Sequence, residues 1–129
     1  MKLYNTLSGK LEEFTPSGDV VKMYVCGITP YAPCHLGHAM SYVIFDVLRR
    51  YLEYLGHNVQ HVQNFTDIDD KIIRRSQEEQ VSPDELADRH IAEYMESMDA
   101  LNVKRAAVYP RATQEIPRII EVTGSLIDK

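Results

Sequence analysis

The sequence has 129 residues, enough for one domain of ordinary size and too few for two. Apolar residues make up 44% and charged residues 26%, which excludes a disordered tail, and no run approaches the roughly 20 apolar residues of a membrane helix. A net charge of −5 argues against a dedicated nucleic-acid-binding module with a basic face, though not against an enzyme that meets RNA at one patch. The cations Arg49, Arg50, Lys71, Arg74 and Arg75 read mostly as solvated helix faces. No apolar core follows the lysine in MKLYNTLSGKLEEF, so the start does not read as a secretory signal. Two cysteines, Cys26 and Cys34, cannot frame a disulfide-stabilised fold. A cytoplasmic protein with no membrane attachment is the simplest expectation.

In chain order, Leu3 to Leu7 and Leu11 to Phe14 flank the turn-prone Ser8-Gly9-Lys10 and predict a hairpin. Thr15-Pro16-Ser17-Gly18 is a loop signal, and Val20 to Val25 a buried strand ended by Cys26-Gly27. From Gly37 the period changes. Met40, Val43, Ile44, Val47, Leu48, Tyr51, Leu52 and Leu55 form an apolar stripe on a helix of about five turns, with Asp46, Arg49, Arg50 and Glu53 predicted on its outer side. Gly56 stands where a helix C-cap is expected. Asn58 to Phe65 reads as a second strand, unusually polar through Gln60, His61, Gln63 and Asn64, so its end is expected to line a site. Strand, long helix and strand make a βαβ unit, for which a parallel, right-handed crossover is the rule.

Beyond it, Asp67 is expected to open a short helix through Arg75, with Asp69 and Asp70 capping it rather than holding a magnesium or calcium ion, because EF-hand spacing is missing. Ser82-Pro83-Asp84-Glu85 is a helix start with a capping box. Leu86, His90, Ile91, Tyr94, Met95, Met98 and Leu101 are that helix's inward face, and a last helix runs from about Thr113.

The chemistry concentrates in the turn after the first long strand, Cys26-Gly-Ile-Thr-Pro-Tyr-Ala-Pro-Cys-His35-Leu-Gly-His38. In open parallel sheets, ligands sit beyond the carboxyl ends of strands, beside helix N-termini. Two histidines three apart at a helix start share one face, and free N–H groups there favour phosphate. Imidazole donors would stabilise charge that develops on a reacting phosphate. Gly37 lets a ligand approach the backbone closely. The segment is neither a dinucleotide fingerprint nor a Walker loop. Without further context, His35 and His38 could equally be a cap and a surface histidine, and Cys26 a strand-end packing residue.

The segment YVCGITPYAPCHLGHAMSYVIFDVLRRYLEYLG, followed by VQNFTDIDDKI, resembles the cysteinyl-tRNA synthetase family of class I synthetases. His35-Leu36-Gly37-His38 is similar to the HIGH signature, with Leu in the Ile position, and the resemblance runs from LYNTL to the PRAT segment and the final helix. It implies an α/β fold: the N-terminal βαβ half of a Rossmann-like catalytic domain over residues 1–129, with an N-terminal hairpin and C-terminal helices. The implied activity is ATP-dependent activation of cysteine to cysteinyl-adenylate and transfer to tRNA(Cys). The implied partners are cysteine, ATP with Mg2+, and that tRNA.

By the same resemblance His35 and His38 are catalytic, and Thr29, Pro30, Tyr31, His35, Gly37 and His38 surround ATP. Cys26, Gly27, Thr29, Ser41, Asn64 and Thr66 surround the amino acid, and Cys26 is a ligand of a zinc ion that binds the substrate thiolate. The family's other zinc ligands, its KMSKS loop, the second half of its catalytic domain and its anticodon-binding helices have no counterpart in this sequence. The chain alone is therefore expected to be inactive and to hold zinc poorly. Two alternatives stand beside this reading: a cysteine ligase of mycothiol synthesis that uses the same activation chemistry, and a non-catalytic nucleotide-binding fragment. A local site made from Cys26, Cys34, His35 and His38 is a further alternative, although its spacing is not that of a zinc finger.

Overall fold

In a computed structural model, which describes residues 1–129, the chain opens with a hairpin. β1 (Lys2–Asn5) and β2 (Lys10–Glu13) pair antiparallel, with Lys2 opposite Glu13 and Asn5 opposite Lys10. The first strand stops at Asn5, short of the expected Leu7. The Asn5 side-chain oxygen accepts the Leu7 N–H at 3.0 Å, its carbonyl accepts the Gly9 N–H at 2.8 Å, and Gly9 takes a φ of 68°. Asparagine folds back on its own chain more readily than it extends a strand.

The βαβ unit follows as predicted. β3 (Val20–Val25) runs parallel to β4 (Asn58–Gln63), with Val20 opposite Asn58 and Val25 opposite Gln63, and α1 (Leu36–Tyr54) connects them. Gly56, at φ 88°, turns the chain out of α1. On the other edge of β4 the segment Ala107–Arg111 adds a rudimentary parallel strand through Val62–Val108 and Phe65–Arg111 bridges. There the Gln63 N–H donates to the Val108 carbonyl at 3.1 Å and the Phe65 N–H to that of Pro110 at 2.8 Å. β3 itself has a strand on one edge only.

Two apolar clusters hold the unit together. Val25, Ile28, Tyr42, Phe65, Ile91, Tyr94 and Met98 form the larger, with Phe65 stacked on Tyr109 and edge-on to Tyr94. Val21, Leu52 and Val59 form the smaller, against which Met1 and Phe14 seat the hairpin. Part of the polarity of β4 has an internal cause. His61 and Gln63 point into the protein, and the Gln63 amide donates to the Tyr94 hydroxyl at 2.5 Å.

α1 packs with only the Leu48 and Leu52 edge of its predicted stripe turned inward. Tyr42, Asp46 and Leu52 are buried, whereas Met40, Ile44, Val47 and Tyr51 are exposed. Asp46 is buried because its carboxylate is fully used: it accepts from Arg50 at 2.6 Å and from the Lys104 N–H at 3.0 Å. Arg49 and Arg50 in turn donate to the carbonyls of Arg105 and Asn102 at 2.8 and 2.6 Å. A carboxylate and guanidinium with every bond satisfied can be buried where an unpaired charge cannot.

The first helix after the βαβ unit is α2 (Asp70–Glu79), capped by Asp69, which accepts the Lys71 N–H at 2.9 Å. It starts later and ends later than expected, and Asp67 does not open it. Instead Asp67 is buried and accepts both the N–H (3.0 Å) and the hydroxyl (2.7 Å) of Thr113, tying down the start of α4 (Ala112–Ile127). α3 (Pro83–Ala100) begins as the sequence indicates, with Ser82 accepting the Glu85 N–H at 3.1 Å. Its inward residues are Leu86, Ala87, His90, Ile91, Tyr94 and Met98, while Leu101 is exposed. No helix is long and apolar enough to cross a membrane.

Candidate active site

The end of β3 and the residue pair that follows it are pinned to the end of β4 by one side chain. The Asn64 amide oxygen accepts the Gly27 N–H at 2.8 Å and the Tyr24 hydroxyl at 2.9 Å, and its NH2 reaches the Thr66 hydroxyl at 3.3 Å. The two backbones meet so closely that a Cβ on Gly27 would lie 1.5 Å from the Asn64 carbonyl oxygen. Only glycine fits there. Tyr42 closes the same corner from α1 by donating to the Cys26 carbonyl at 3.2 Å.

His35 and His38 build the helix start. His35 is the N-cap of α1, with its Nδ1 accepting the Gly37 N–H at 3.1 Å, and His38 Nδ1 accepts the His35 N–H at 3.3 Å. The pair is a reciprocal capping box made of imidazoles, stacked with ring centroids 3.9 Å apart. An Nδ1 that accepts carries no proton, so each neutral ring holds its proton on Nε2 and keeps that N–H as a donor. Partial burial, with a smaller contribution from the neighbouring His35, holds the His38 pKa below its ordinary value and favours this neutral form. A Cβ on Gly37 would lie 3.0 Å from the His35 ring, so this glycine makes room for the cap as well as for a ligand.

Gly27, Thr29, Tyr31, His35 and His38 line one cleft of about 250 Å3, together with Ile28, Ala32, Pro33 and Lys71. Of the other residues expected at the site, Pro30 is buried beneath this loop, and Gly37 sits between the histidines. Cys26 is exposed with a free thiol, and Ser41, Asn64 and Thr66 are partly buried outside the cleft lining. Cys34 packs against the larger apolar cluster, where burial raises its thiol pKa, so it behaves as a packing residue. A larger hollow of about 400 Å3 is formed by the single segment Phe14–Lys22 and holds none of these residues.

Nowhere do three or more His, Cys, Asp or Glu side chains converge as a metal centre would require. The local site from Cys26, Cys34, His35 and His38 is not assembled, because the Nδ1 atoms of both histidines are committed to backbone N–H groups and Cys34 is turned into the core. A tight zinc site takes about three or four protein ligands. These residues offer a zinc ion the Cys26 thiolate and do not complete a shell around it. The sequence reads Lys71 as a solvated cation, whereas the structure puts it in the lining of the cleft. No sequence pattern marks it, since the loop that brings Tyr31 against α2 is irregular.

A family model described as the catalytic domain of class I (C) tRNA synthetases matches residues 13–129. A cysteine–tRNA ligase of Dehalococcoides mccartyi is 60% identical over 130 residues, covering 100% of this chain and 28% of its own length. The Archaeoglobus fulgidus cysteine–tRNA ligase is 54% identical over 131 residues, again covering 100% of this chain and 28% of the relative. The chain thus spans little more than a quarter of the length of these relatives. Among solved structures, a Mycobacterium tuberculosis methionyl-tRNA synthetase in complex with methionyl-adenylate superposes with a TM-score of 0.65. It is 23% identical, and the match covers 72% of this chain and 18% of that one, a likeness of fold. With its parallel βαβ unit and a histidine pair at the start of the crossover helix, the chain belongs to the class I tRNA synthetases, within the catalytic-domain family whose curated relatives are cysteine–tRNA ligases.

Proposed function

We propose that this chain supplies the nucleotide- and cysteine-binding corner of a cysteine–tRNA ligase, in which cysteine is activated by ATP and passed to tRNA(Cys). The observation that carries the reading is the stacked His35–His38 pair, whose Nδ1 atoms are satisfied by the helix start and whose Nε2–H groups remain as donors. In the activation step a carboxylate oxygen of cysteine forms a bond to the α-phosphorus of magnesium-bound ATP. The bond to the β-phosphate oxygen breaks, and pyrophosphate leaves with its electron pair. Two neutral donors fixed beforehand on a helix start stabilise the charge on the phosphoryl oxygens without reorganising. Gly27 and Thr29, in the same cleft, are positioned for the amino acid. Asn64 and Thr66 act here mainly by holding the Gly27 backbone in place. Cys26, exposed just beyond β3, is the thiolate this segment would offer to a zinc ion able to distinguish cysteine from serine by its sulfur.

The test is cysteine-dependent ATP–pyrophosphate exchange by a Dehalococcoides mccartyi ligase in which these residues replace the matching part. His35→Asn and His38→Asn are each expected to slow exchange by about 100-fold, the usual cost of a lost transition-state donor, with cysteine affinity little changed. An unchanged exchange rate with weakened cysteine binding would contradict the roles assigned.

A further inference from the structure

We propose that Lys71 is the cation that binds the β- and γ-phosphates of ATP and receives the departing pyrophosphate, an assignment that rests on the adenylate-forming reading of the cleft. The cleft presents two imidazole donors whose hydrogen-bond pattern fits the neutral form, so it needs positive charge from elsewhere to hold a triphosphate. Lys71 is the one Lys or Arg in its lining. It rises from the first turn of α2, where its own N–H is fixed by Asp69.

Lys71 differs from its basic neighbours in being uncommitted. Arg74 pairs with Glu78, and Arg75 pairs with Glu78 and Glu79, while Lys71 has no carboxylate within ion-pair distance. Its ammonium instead lies 5.3 Å from the centroid of the Tyr31 ring, on the opposite wall. Tyr31 and Lys71 also border a second hollow of about 330 Å3 along α2, lined further by Arg74, Arg75 and Glu78. A phosphate chain lying past His35 and His38 toward α2 would therefore run from neutral donors onto a free ammonium and then past two arginines. Lys71 acts on the charge that collects on the pyrophosphate as its bond to the α-phosphorus breaks.

Calorimetric titration of the 129-residue chain with ATP, AMP and inorganic pyrophosphate tests this, comparing Lys71→Met, Lys71→Arg and His35→Asn. Lys71 is solvent-exposed, so the Met variant should fold, and an unchanged Tm checks that it does. Lys71→Met is expected to weaken ATP and pyrophosphate about tenfold, as loss of a charged hydrogen bond does, with AMP unaffected and Arg restoring most of the loss. Equal losses for AMP and ATP, or no loss for ATP, would overturn the proposal. Unchanged ATP affinity in Lys71→Met alongside a loss in His35→Asn would remove Lys71 and leave the cleft reading standing. Failure of the unaltered chain to bind either nucleotide would remove both. Unchanged ATP affinity with weaker binding of an RNA trinucleotide CCA would assign Lys71 to an RNA end and also overturn it.

Discussion

The imidazole of His61 lies on β4 at 4% exposure with neither ring nitrogen hydrogen-bonded, an arrangement a neutral histidine tolerates and an imidazolium does not. Burial is the main cause holding its pKa below 6.5. The nearby Arg49 charge acts in the same direction, and Asp46 opposes both. As the pH falls, the unfolded chain takes up this proton before the folded one does. Stability is therefore full above about pH 6.5 and declines as the pH drops through the folded-state value. Urea denaturation at pH 7.5 and pH 5.5 should show that loss in the unaltered chain and a smaller one in His61→Phe, which keeps an aromatic ring and removes the titration. Equal losses in the two would show that His61 is not the group responsible. The place of His35 and His38 at the start of α1 could be read from the sequence because a helix start is a local signal. Nothing in the alternation of β4 separates His61 from a ligand, since its surroundings include Arg49 and Asp46 of α1, which are distant in the sequence.

Among the helices, α4 is the least anchored by burial. None of its side chains is buried, Pro117 interrupts its bonding pattern, and its N-cap Arg111 makes no side-chain capping bond. Asp67 performs that task from the β4–α2 connection by holding Thr113 through two hydrogen bonds. Asp67→Ala should therefore cost about 1–2 kcal/mol, the scale of a lost helix cap. The loss should fall on α4: hydrogen exchange should accelerate along Ala112–Ile127 and stay slow in β3 and β4, whereas uniform acceleration would contradict a local role. The positions of β3, α1, β4 and α3 follow from period and caps, because those signals lie within the element itself. The facing of α1 does not follow from its sequence. Its apolar stripe is real, but Asp46, Arg49 and Arg50 find partners in Asn102–Arg105, and those contacts decide which side turns inward. The task of Asp67 was hidden for the same reason, since its partner lies 46 residues further along the chain.

At the scale of the whole molecule, 20 of 129 residues are buried, so a large share of the apolar side chains stays in contact with water. The row Met40, Ile44, Val47 and Tyr51 is one example, four apolar groups at helical spacing with exposures from 47% to 66%. Such a row governs how the chain behaves among copies of itself as well as how it folds. Electrostatic repulsion is what keeps the rows of neighbouring molecules apart, and with a pI near 5.5 that repulsion vanishes in mildly acidic solution. The isolated chain is accordingly expected to bind the dye ANS while fully folded, to scatter light increasingly as the pH approaches 5.5, and to redissolve on return to pH 8. Ile44→Glu with Val47→Lys should lower the dye signal and the turbidity at unchanged Tm, because neither side chain contributes to the interior. Colloidal stability in this molecule would then be set by exposed helix faces, separately from the forces that hold its two strands and their crossover together.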